Sequence, residues 1–155
     1  MARHSSPKKY EVLPDPIYNN KLVATFVNHI MKKGKKSLAA RLCYASLKLV
    51  GEETQKDPVS ILESAVKNVK PLVEVKARRR GGATYQIPVA VSDSRGTALA
   101  IRWILESCRK RAGKRMIYKL RDEILDAEKN LGNAIAKRNA GIRMAEANRA
   151  FAPNR

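Results

Sequence analysis

The stretch VEVKARRRGGATYQIPVAV, residues 73–91, interrupts a sequence whose apolar residues otherwise repeat with helical spacing. Its first half alternates apolar and charged residues, and an apolar alternation resumes after Gly81-Gly82 at Tyr85, Ile87, Val89 and Val91. A period of two is typical of β-strands. Two adjacent glycines can adopt the positive φ angles of a tight hairpin turn. The stretch therefore predicts a β-hairpin at about residues 73–91.

On either side of this hairpin the apolar residues repeat with helical spacing. Six helices are predicted: from Asp15-Pro16 to Lys32-Lys33-Gly34, about 36–51, from Asp57-Pro58 to Pro71, about 94–110, about 115–128 and about 132–150. An isolated two-stranded hairpin is marginally stable in water, so its base must pack on the helices. We expect a mainly α fold: one six-helix domain, residues 15–155, with an inserted, protruding basic β-hairpin and a flexible basic N-terminal arm, residues 1–14.

Cap signals and apolar stripes predict the helix boundaries and faces. Asp15-Pro16 and Asp57-Pro58 each resemble an N-cap followed by proline at the first helical position. The predicted inward stripe of the second helix is Leu38, Leu42, Ala45, Leu49 and Val50. That of the third helix is Ile61, Leu62, Ala65, Val66 and Val69.

The net charge is strongly positive. Lys and Arg number 32 and Asp and Glu number 14, which gives +18 at pH 7. Self-repulsion at this charge opposes the compact state. A polyanionic partner would relieve the repulsion, and nucleic acid is the common one. No run of 18 apolar residues is present, so we expect no membrane partner.

The excess charge is clustered. Residues 32–41 carry five cations and no acid, and residues 102–121 carry eight cations against Glu106 alone. The hairpin cations Lys76, Arg78, Arg79 and Arg80 have no acid among them, so we expect the hairpin to lack a neutralising partner of its own. A merely soluble surface would intersperse the two signs. The pattern favours phosphate binding by the planar guanidinium groups, with glycines that allow close backbone approach.

Catalytic, metal and cofactor sites are not indicated. GKKS at 34–37 lacks the first glycine of a P-loop, since His29 stands at that position. His4, His29, Cys43 and Cys108 do not have zinc-ligand spacing, and both cysteines fit buried free thiols. We expect no catalytic residue, no metal and no cofactor.

One acidic cluster stands out: Asp122, Glu123, Asp126 and Glu128. We interpret it as a water-facing side, paired in part with Lys119 and Lys129 at helical spacings. A metal site and a docking face for a basic neighbouring protein are the alternatives.

Four motifs in order resemble those of a known family. They are NKLVATFVNHIMKKGKKSLAARLCYAS at 20–46, NVKPLVEVKARRRGGATYQIPV at 68–89, ALAIRW at 98–103 and RMAEANRAF at 143–151. On these motifs the chain resembles small-subunit ribosomal protein seven of the bacterial and organellar type. The similarity runs nearly end to end.

The resemblance implies a structural constituent of the small ribosomal subunit, not an enzyme. It implies binding to the 3′ major domain of small-subunit rRNA, nucleation of head assembly, and a monomer within the ribosome. Neighbouring proteins of the head and platform, exit-site tRNA and mRNA would lie nearby. The ribosome would be that of a bacterial cytoplasm, a plastid stroma or a mitochondrial matrix.

The expected rRNA-binding residues follow from the matched positions and the charge runs. They are Arg3, Lys8, Lys9, Lys35, Lys36, Arg41, Lys76, Arg78, Arg79, Arg80, Arg95, Arg102, Arg109, Lys110, Arg111, Lys114 and Arg115. The hairpin tip, Arg80, Gly81, Gly82 and Ala83, is expected to lie near exit-site tRNA.

Two other functions remain alternatives. A helical DNA-binding protein, of the helix-turn-helix or architectural kind, would also carry basic patches on helices. The long basic hairpin counts against it. An RNA-modifying enzyme would need a nucleophile–base pair or a cofactor loop, and neither is visible.

Overall fold

A computed structural model of the chain describes residues 11–113 and 115–151. Across these residues it contains six α-helices, one two-stranded sheet and a short 3₁₀ turn at Arg149–Phe151. The elements in chain order are α1 Lys21–Ile30, α2 Lys36–Thr54, α3 Pro58–Val69, β1 Val73–Arg80, β2 Ala83–Ala90, α4 Asp93–Lys110, α5 Met116–Glu128 and α6 Gly132–Ala147. The predicted mainly helical fold with one inserted hairpin is confirmed. Arg3, Lys8, Lys9 and Lys114 lie outside the described residues, as does most of the predicted arm.

The core forms where all six helices meet. Helix α5 packs against α2, α3, α4 and α6, and its Leu120 and Ile124 are completely buried. Phe26 of α1 and Leu47 of α2 are also completely buried in the same cluster. Full burial of a side chain of this size contributes about 1.5–3 kcal/mol before packing effects are counted. The helices thus form the rigid body that carries the hairpin.

The predicted start of the first helix is wrong. Asp15-Pro16 opens a single turn, in which the Asp15 carboxylate accepts hydrogen bonds from the Ile17 and Tyr18 amides, both at 3.1 Å. Asn19 then has φ +47°, which interrupts helical backbone. Helix α1 begins at Lys21, with Asn20 as the cap that accepts from the Leu22 amide at 2.7 Å.

The predicted stripe of α2 is also largely wrong. The residues that face the core are Ala39, Cys43, Ser46, Leu47 and Val50. Leu38 is 44% exposed, and Leu42, Ala45 and Leu49 are only partly buried. Three of these five side chains, those of Ala39, Cys43 and Ser46, are small, and small side chains leave room for neighbouring helices. Leu38, Leu42 and Leu49 of the predicted stripe lie on or near the surface.

Helix α3 agrees with the sequence in both its cap and its face. Asp57 accepts a hydrogen bond from the Ser60 amide at 2.9 Å, and Pro58 occupies the first turn. All five residues of the predicted stripe are buried. Its neighbour α2 ends at Thr54, three residues beyond Gly51, so the predicted end at about 51 falls short.

The two cysteines are free and buried, as predicted. Burial raises the pKa of each thiol to about 12. Of the helices in the described residues, none combines the length and the apolarity that a bilayer span would require.

Candidate nucleic-acid interface

The hairpin has the predicted turn and a regular register. Strands β1 and β2 pair antiparallel from Val73 opposite Ala90 to Arg80 opposite Ala83. Gly81 and Gly82 form the two-residue connection, with φ +55° and +86°. These positive φ angles match the two-residue turns that suit twisted strands. Eight residues per strand give a ribbon of roughly 25 Å.

The apolar alternations of the two strands are out of phase. Directly paired residues share a face of a sheet. Lys76 pairs with Ile87 and Arg78 pairs with Tyr85, so these cations share a face with the apolar residues of the return strand. Each face of the ribbon is therefore mixed, and neither is a purely basic or purely apolar side.

The hairpin packs on α6 and the 3₁₀ turn from its base as far as Tyr85. Strand β1 packs on α6, and β2 contacts α6 and the 3₁₀ turn. Ile87 is buried, and the Tyr85 ring lies 5.2 Å from the Phe151 ring, centroid to centroid. Beyond Tyr85 the register leaves residues 79–84 as the free end of the ribbon. Arg79 is exposed there.

Ion pairs also fix the base. Glu74 accepts hydrogen bonds from Arg95 Nε with both carboxylate oxygens, at 3.0 and 2.9 Å, and lies 3.1 Å from Lys76 Nζ. The bond from Arg95 lowers the pKa of Glu74, although partial burial acts in the opposite direction. The expectation that the hairpin lacks a neutralising acid is therefore wrong at its base. Glu74 and Lys76 stand two apart on one strand, which places both on the same face.

The segment between α1 and α2, together with the first turns of α2, presents a second group of cations. Lys33 and Gly34 have φ +52° and +74°, and their turn sends the chain back into α2. The group, called here the α1–α2 cations, consists of Lys32, Lys33, Lys35, Lys36 and Arg41, all exposed. Within the described residues, none of the five forms an ion pair.

The third charge run lies next to this group. Arg109, near the end of α4, lines a groove of about 380 Å³ together with Lys32, Lys33 and Lys35. Arg109 is exposed and, among the described residues, has no ion-pair partner. Residues of two runs that are about 70 residues apart in sequence thus lie on one basic surface.

Arg111 has a different environment. Its Nε donates to Glu123 Oε2 at 2.7 Å, and its Nη2 donates to Asp126 Oδ2. Glu123 is 0% exposed, and its second oxygen accepts from the Ala134 amide at the start of α6, at 3.2 Å. Burial lowers the pKa of Arg111, but the bonds to the two carboxylates outweigh it and leave the pKa raised. Arg111 links the end of α4 to α5 and, through Glu123, to α6. Its guanidinium is therefore already paired with acids of the protein itself.

The interpretation of the acidic cluster as a water-facing side is consequently wrong. Glu123 and Asp126 hold Arg111, and Asp122 accepts from the neighbouring Arg121 at 2.5 Å. Helical spacing alone suggested Lys119 and Lys129 as partners. The fold instead brings Arg111 to the inward side of α5.

The remaining predicted residues occupy several positions. Arg78, Arg102 and Arg115 are exposed and, in the part of the chain that the structure describes, make no ion pair. Lys110 lies 3.2 Å from Glu106, and Arg95 is about half exposed while bound to Glu74. Sequence reasoning left Lys32 and Lys33 out of the site. Their position in the first charge run was the signal that could have included them.

Known proteins resemble this chain along almost its whole length. The family model described as "Ribosomal protein S7p/S5e" matches residues 1–149. The chain is 54% identical over 155 residues to "Small ribosomal subunit protein uS7c" of Chlorella vulgaris, covering 100% of this chain and 99% of that protein. It is 52% identical over 152 residues to "Small ribosomal subunit protein uS7" of Gloeothece citriformis, covering 98% and 97%. With nearly full coverage on both sides, this chain belongs to the ribosomal protein S7p/S5e family.

Proposed function

We propose that this chain is a structural protein of the small ribosomal subunit that binds the 3′ major domain of small-subunit rRNA directly and nucleates assembly of the head. That the chain is a ribosomal protein that binds rRNA follows from its family membership. The rRNA domain and the assembly role rest on the resemblance carried by the four sequence motifs. The function is structural, and we assign no catalytic residue.

The observation that carries the proposal is the basic surface formed by Lys32, Lys33, Lys35 and Arg109. These side chains are exposed and, among the described residues, have no carboxylate partner. Cations without an internal partner repel one another, and phosphate groups would remove that repulsion. Within the third run, the acids of α5 pair with Arg111 and Arg121, and they leave Arg109 without an ion pair among the described residues.

The free end of the hairpin supports a second contact. The free end of the ribbon beyond Tyr85, residues 79–84, is available for contact with RNA. We propose that Arg78, Arg79 and Arg80 contact rRNA phosphates. We further propose that the tip, from Arg80 to Ala83, lies near exit-site tRNA with mRNA close by.

We propose a binding set that is supported by the exposure and ion pairs of the described side chains and, for Arg80, by the sequence alone. It comprises Lys32, Lys33, Lys35, Lys36, Arg41, Arg78, Arg79, Arg80, Arg102, Arg109 and Arg115, with Lys76, Arg95 and Lys110 as residues that would share their charge between an internal acid and RNA. Arg111 is not proposed to contact RNA. Arg3, Lys8, Lys9 and Lys114 stay proposals from the sequence.

We propose neighbouring head and platform proteins as partners, with one copy of the chain per ribosome. The relatives from Chlorella vulgaris and Gloeothece citriformis support a plastid or bacterial ribosome as the location.

Domain-resolved binding tests the function. The protein is titrated against separate transcripts of the 3′ major domain and the 5′ domain, with duplex DNA as competitor. We expect stoichiometric binding to the 3′ major domain and at least hundredfold weaker binding to the other two. Equal affinity for the two RNA domains would contradict the rRNA assignment, and displacement by stoichiometric duplex DNA would favour a DNA-binding protein.

A further inference from the structure

One face of the ribbon contacts the rest of the protein at three successive levels. Near the base, Glu74 accepts hydrogen bonds from Arg95 at the start of α4. Farther along, Ile87 is only 3% exposed. Farther still, the Tyr85 ring lies 5.2 Å from the ring of Phe151 in the 3₁₀ turn. The register places the three strand residues on one face, because directly paired residues and residues two apart on a strand share a face.

The opposite face of the ribbon is open toward the tip. Four side chains of that face are exposed: Ala77, Arg79, Thr84 and Gln86. A ribbon that is supported on one face alone can swing away from the body about its base. Of the three contacts on the supported face, the ring pair of Tyr85 and Phe151 lies nearest the tip. This pair is therefore best placed to prevent the swing.

We infer that Phe151 and Arg95 are positioning residues that set the direction of the ribbon, Phe151 through Tyr85 and Arg95 through Glu74. The Tyr85–Phe151 ring pair and the Glu74–Arg95 ion pair are called here the orienting contacts. The inference rests on the proposed function, in which the tip lies against RNA, and deepens it by naming the residues that place the tip there. Both contacts form within the protein, so part of the ordering cost of binding is met before RNA arrives.

The length of the ribbon makes its direction important. Six residues per strand separate the level of Glu74 from the level of Arg80, which corresponds to about 20 Å. A tilt of about 10° at the base would therefore move the tip by about 3.5 Å. A hydrogen bond to a phosphate oxygen requires a donor–acceptor distance of no more than about 3.2 Å, so a shift of this size would break it.

The two orienting contacts are both too exposed to be part of the core. The Tyr85 and Phe151 side chains are 36% and 47% exposed, and an aromatic pair at this centroid distance favours the closed arrangement by about twofold to tenfold. Arg95 is 54% exposed, so the ion pair is open to screening by salt. Loss of either contact should consequently change the direction of the ribbon more than the stability of the fold.

Two introduced cysteines measure the direction of the ribbon in the free protein. Thr84→Cys lies near the tip on the open face, and Ser64→Cys lies at an exposed position on α3. Each carries a nitroxide label, and pulsed dipolar electron paramagnetic resonance gives the distribution of distances between the labels. The native thiols of Cys43 and Cys108 are buried and can remain. We expect one narrow distribution when both orienting contacts are intact.

Phe151→Ala and Glu74→Gln remove the orienting contacts one at a time, and the second change leaves Arg95 itself in place. We expect each change to broaden the distance distribution and the two together to double its width at least. Phe151→Tyr keeps a ring and should restore the narrow distribution. The Tm of Phe151→Ala should stay within about 2 °C of the unmodified value, because the side chain is exposed.

Glu52→Gln is the matched control for Glu74→Gln. Glu52 is also an acid with a basic partner, Lys48, but it lies on α2, which packs on α1, α3 and α5. This change should leave the distance distribution as it was. A double orienting variant with no broader a distribution than the unmodified protein would overturn the inference. An unmodified protein whose distribution is already as broad as that of the double variant would overturn it as well.

Directed hydroxyl-radical cleavage connects the direction of the ribbon with RNA binding. An iron chelate attached to Thr84→Cys cleaves those nucleotides of the bound 3′ major domain transcript that lie near it. We expect a compact set of cleaved nucleotides with the orienting contacts intact and a set at least twice as large without them. The affinity should fall by less than threefold, because no cation is removed. Identical cleavage patterns would overturn the inference, since RNA alone would then fix the direction of the ribbon.

The outcomes separate this inference from the function on which it rests. If the unmodified protein fails to bind the transcript, the proposed function fails, and the distances in the free protein still decide whether the orienting contacts set the direction of the ribbon. If the protein binds and all variants give the same distances, the positioning role fails and the proposed function stands.

Discussion

Replacing Arg111 with Gln should destabilise the fold much more than the same change at Arg109. Arg111 is 25% exposed and is the cation bound to Glu123, whose side chain is completely buried. Its removal would leave a buried carboxylate with only the Ala134 amide as a hydrogen-bond donor among the described residues. Breaking a buried ion pair by removing one partner costs about 3–5 kcal/mol.

The lower end of that range fits this site. A glutamine can still donate one hydrogen bond, and the partial exposure of Arg111 allows water to approach. We therefore expect a decrease of about 3 kcal/mol in the free energy of unfolding. For a protein of this size the decrease corresponds to a fall of about 6–12 °C in Tm.

Urea unfolding followed by far-ultraviolet circular dichroism measures the effect. Arg109→Gln is the matched control, because Arg109 is two residues away, exposed, and without an ion pair in the described part of the chain. Exposed substitutions usually change the free energy of unfolding by about 0.5 kcal/mol or less. The double variant Arg111→Gln with Glu123→Gln should be more stable than Arg111→Gln alone, because it removes the unpaired buried charge.

A different result would refute this reasoning. If Arg111→Gln unfolds within about 0.5 kcal/mol of Arg109→Gln, the Arg111–Glu123 pair does not stabilise the protein as described. If Glu123→Gln lowers the stability of the Arg111→Gln variant as much as it lowers the stability of the unmodified protein, the two side chains are not coupled.

The same structure supports three further predictions, two for substitutions and one for the reactivity of a buried thiol. Alanine at Arg78, Arg79 and Arg80 together should weaken RNA binding by about 1.5–3 kcal/mol for each charge-assisted hydrogen bond to phosphate that is removed, with Tm almost unchanged; collapse of the fold would show that these arginines serve the core. Asp57→Ala should lower the free energy of unfolding by about 1 kcal/mol because it removes the α3 cap, as measured in urea, and an unchanged value would show that the cap is dispensable. The thiol of Cys43, whose pKa burial raises to about 12, should not react with an aromatic disulfide at pH 8 until urea unfolds the protein, and rapid labelling of the native state would contradict its burial.

Sequence patterns located α3 and the hairpin correctly because local chemistry decides both. Asp57 caps the helix that follows it, and Gly81-Gly82 supplies the positive φ angles of the turn. The same local pattern at Asp15-Pro16 was misleading. Asp15 receives a hydrogen bond at 2.6 Å from the Tyr44 hydroxyl, 29 residues away, and that contact belongs to the tertiary fold.

The face of α2 could not be read from apolar spacing alone. Leu38 and Leu42 lie on one possible stripe, while Ala39, Cys43 and Leu47 lie on the neighbouring one, and both fit a helical period. The choice between them depends on how closely the adjacent helices approach. Small side chains on α2 permit a closer approach. Which face of α2 is buried therefore depends on the helices that pack against it, and the α2 sequence alone does not contain that information.

The candidate site was predictable as a set of charge runs but not residue by residue. Arg109 and Arg111 look equivalent in the sequence, yet one is exposed and the other is bound to acids 12 and 15 residues further along. The proximity of Arg109 to the α1–α2 cations also depends on the fold, which brings the end of α4 beside the start of α2. Sequence therefore gives the sign and the amount of the charge, and packing decides which cations remain free.

The salt dependence of binding to the 3′ major domain transcript measures most directly whether the free cations pair with phosphates. If about six to ten phosphates are engaged, the logarithm of the association constant should fall with the logarithm of salt concentration at a slope of about −5 to −9. An affinity that hardly changes with salt would contradict phosphate pairing as the basis of recognition.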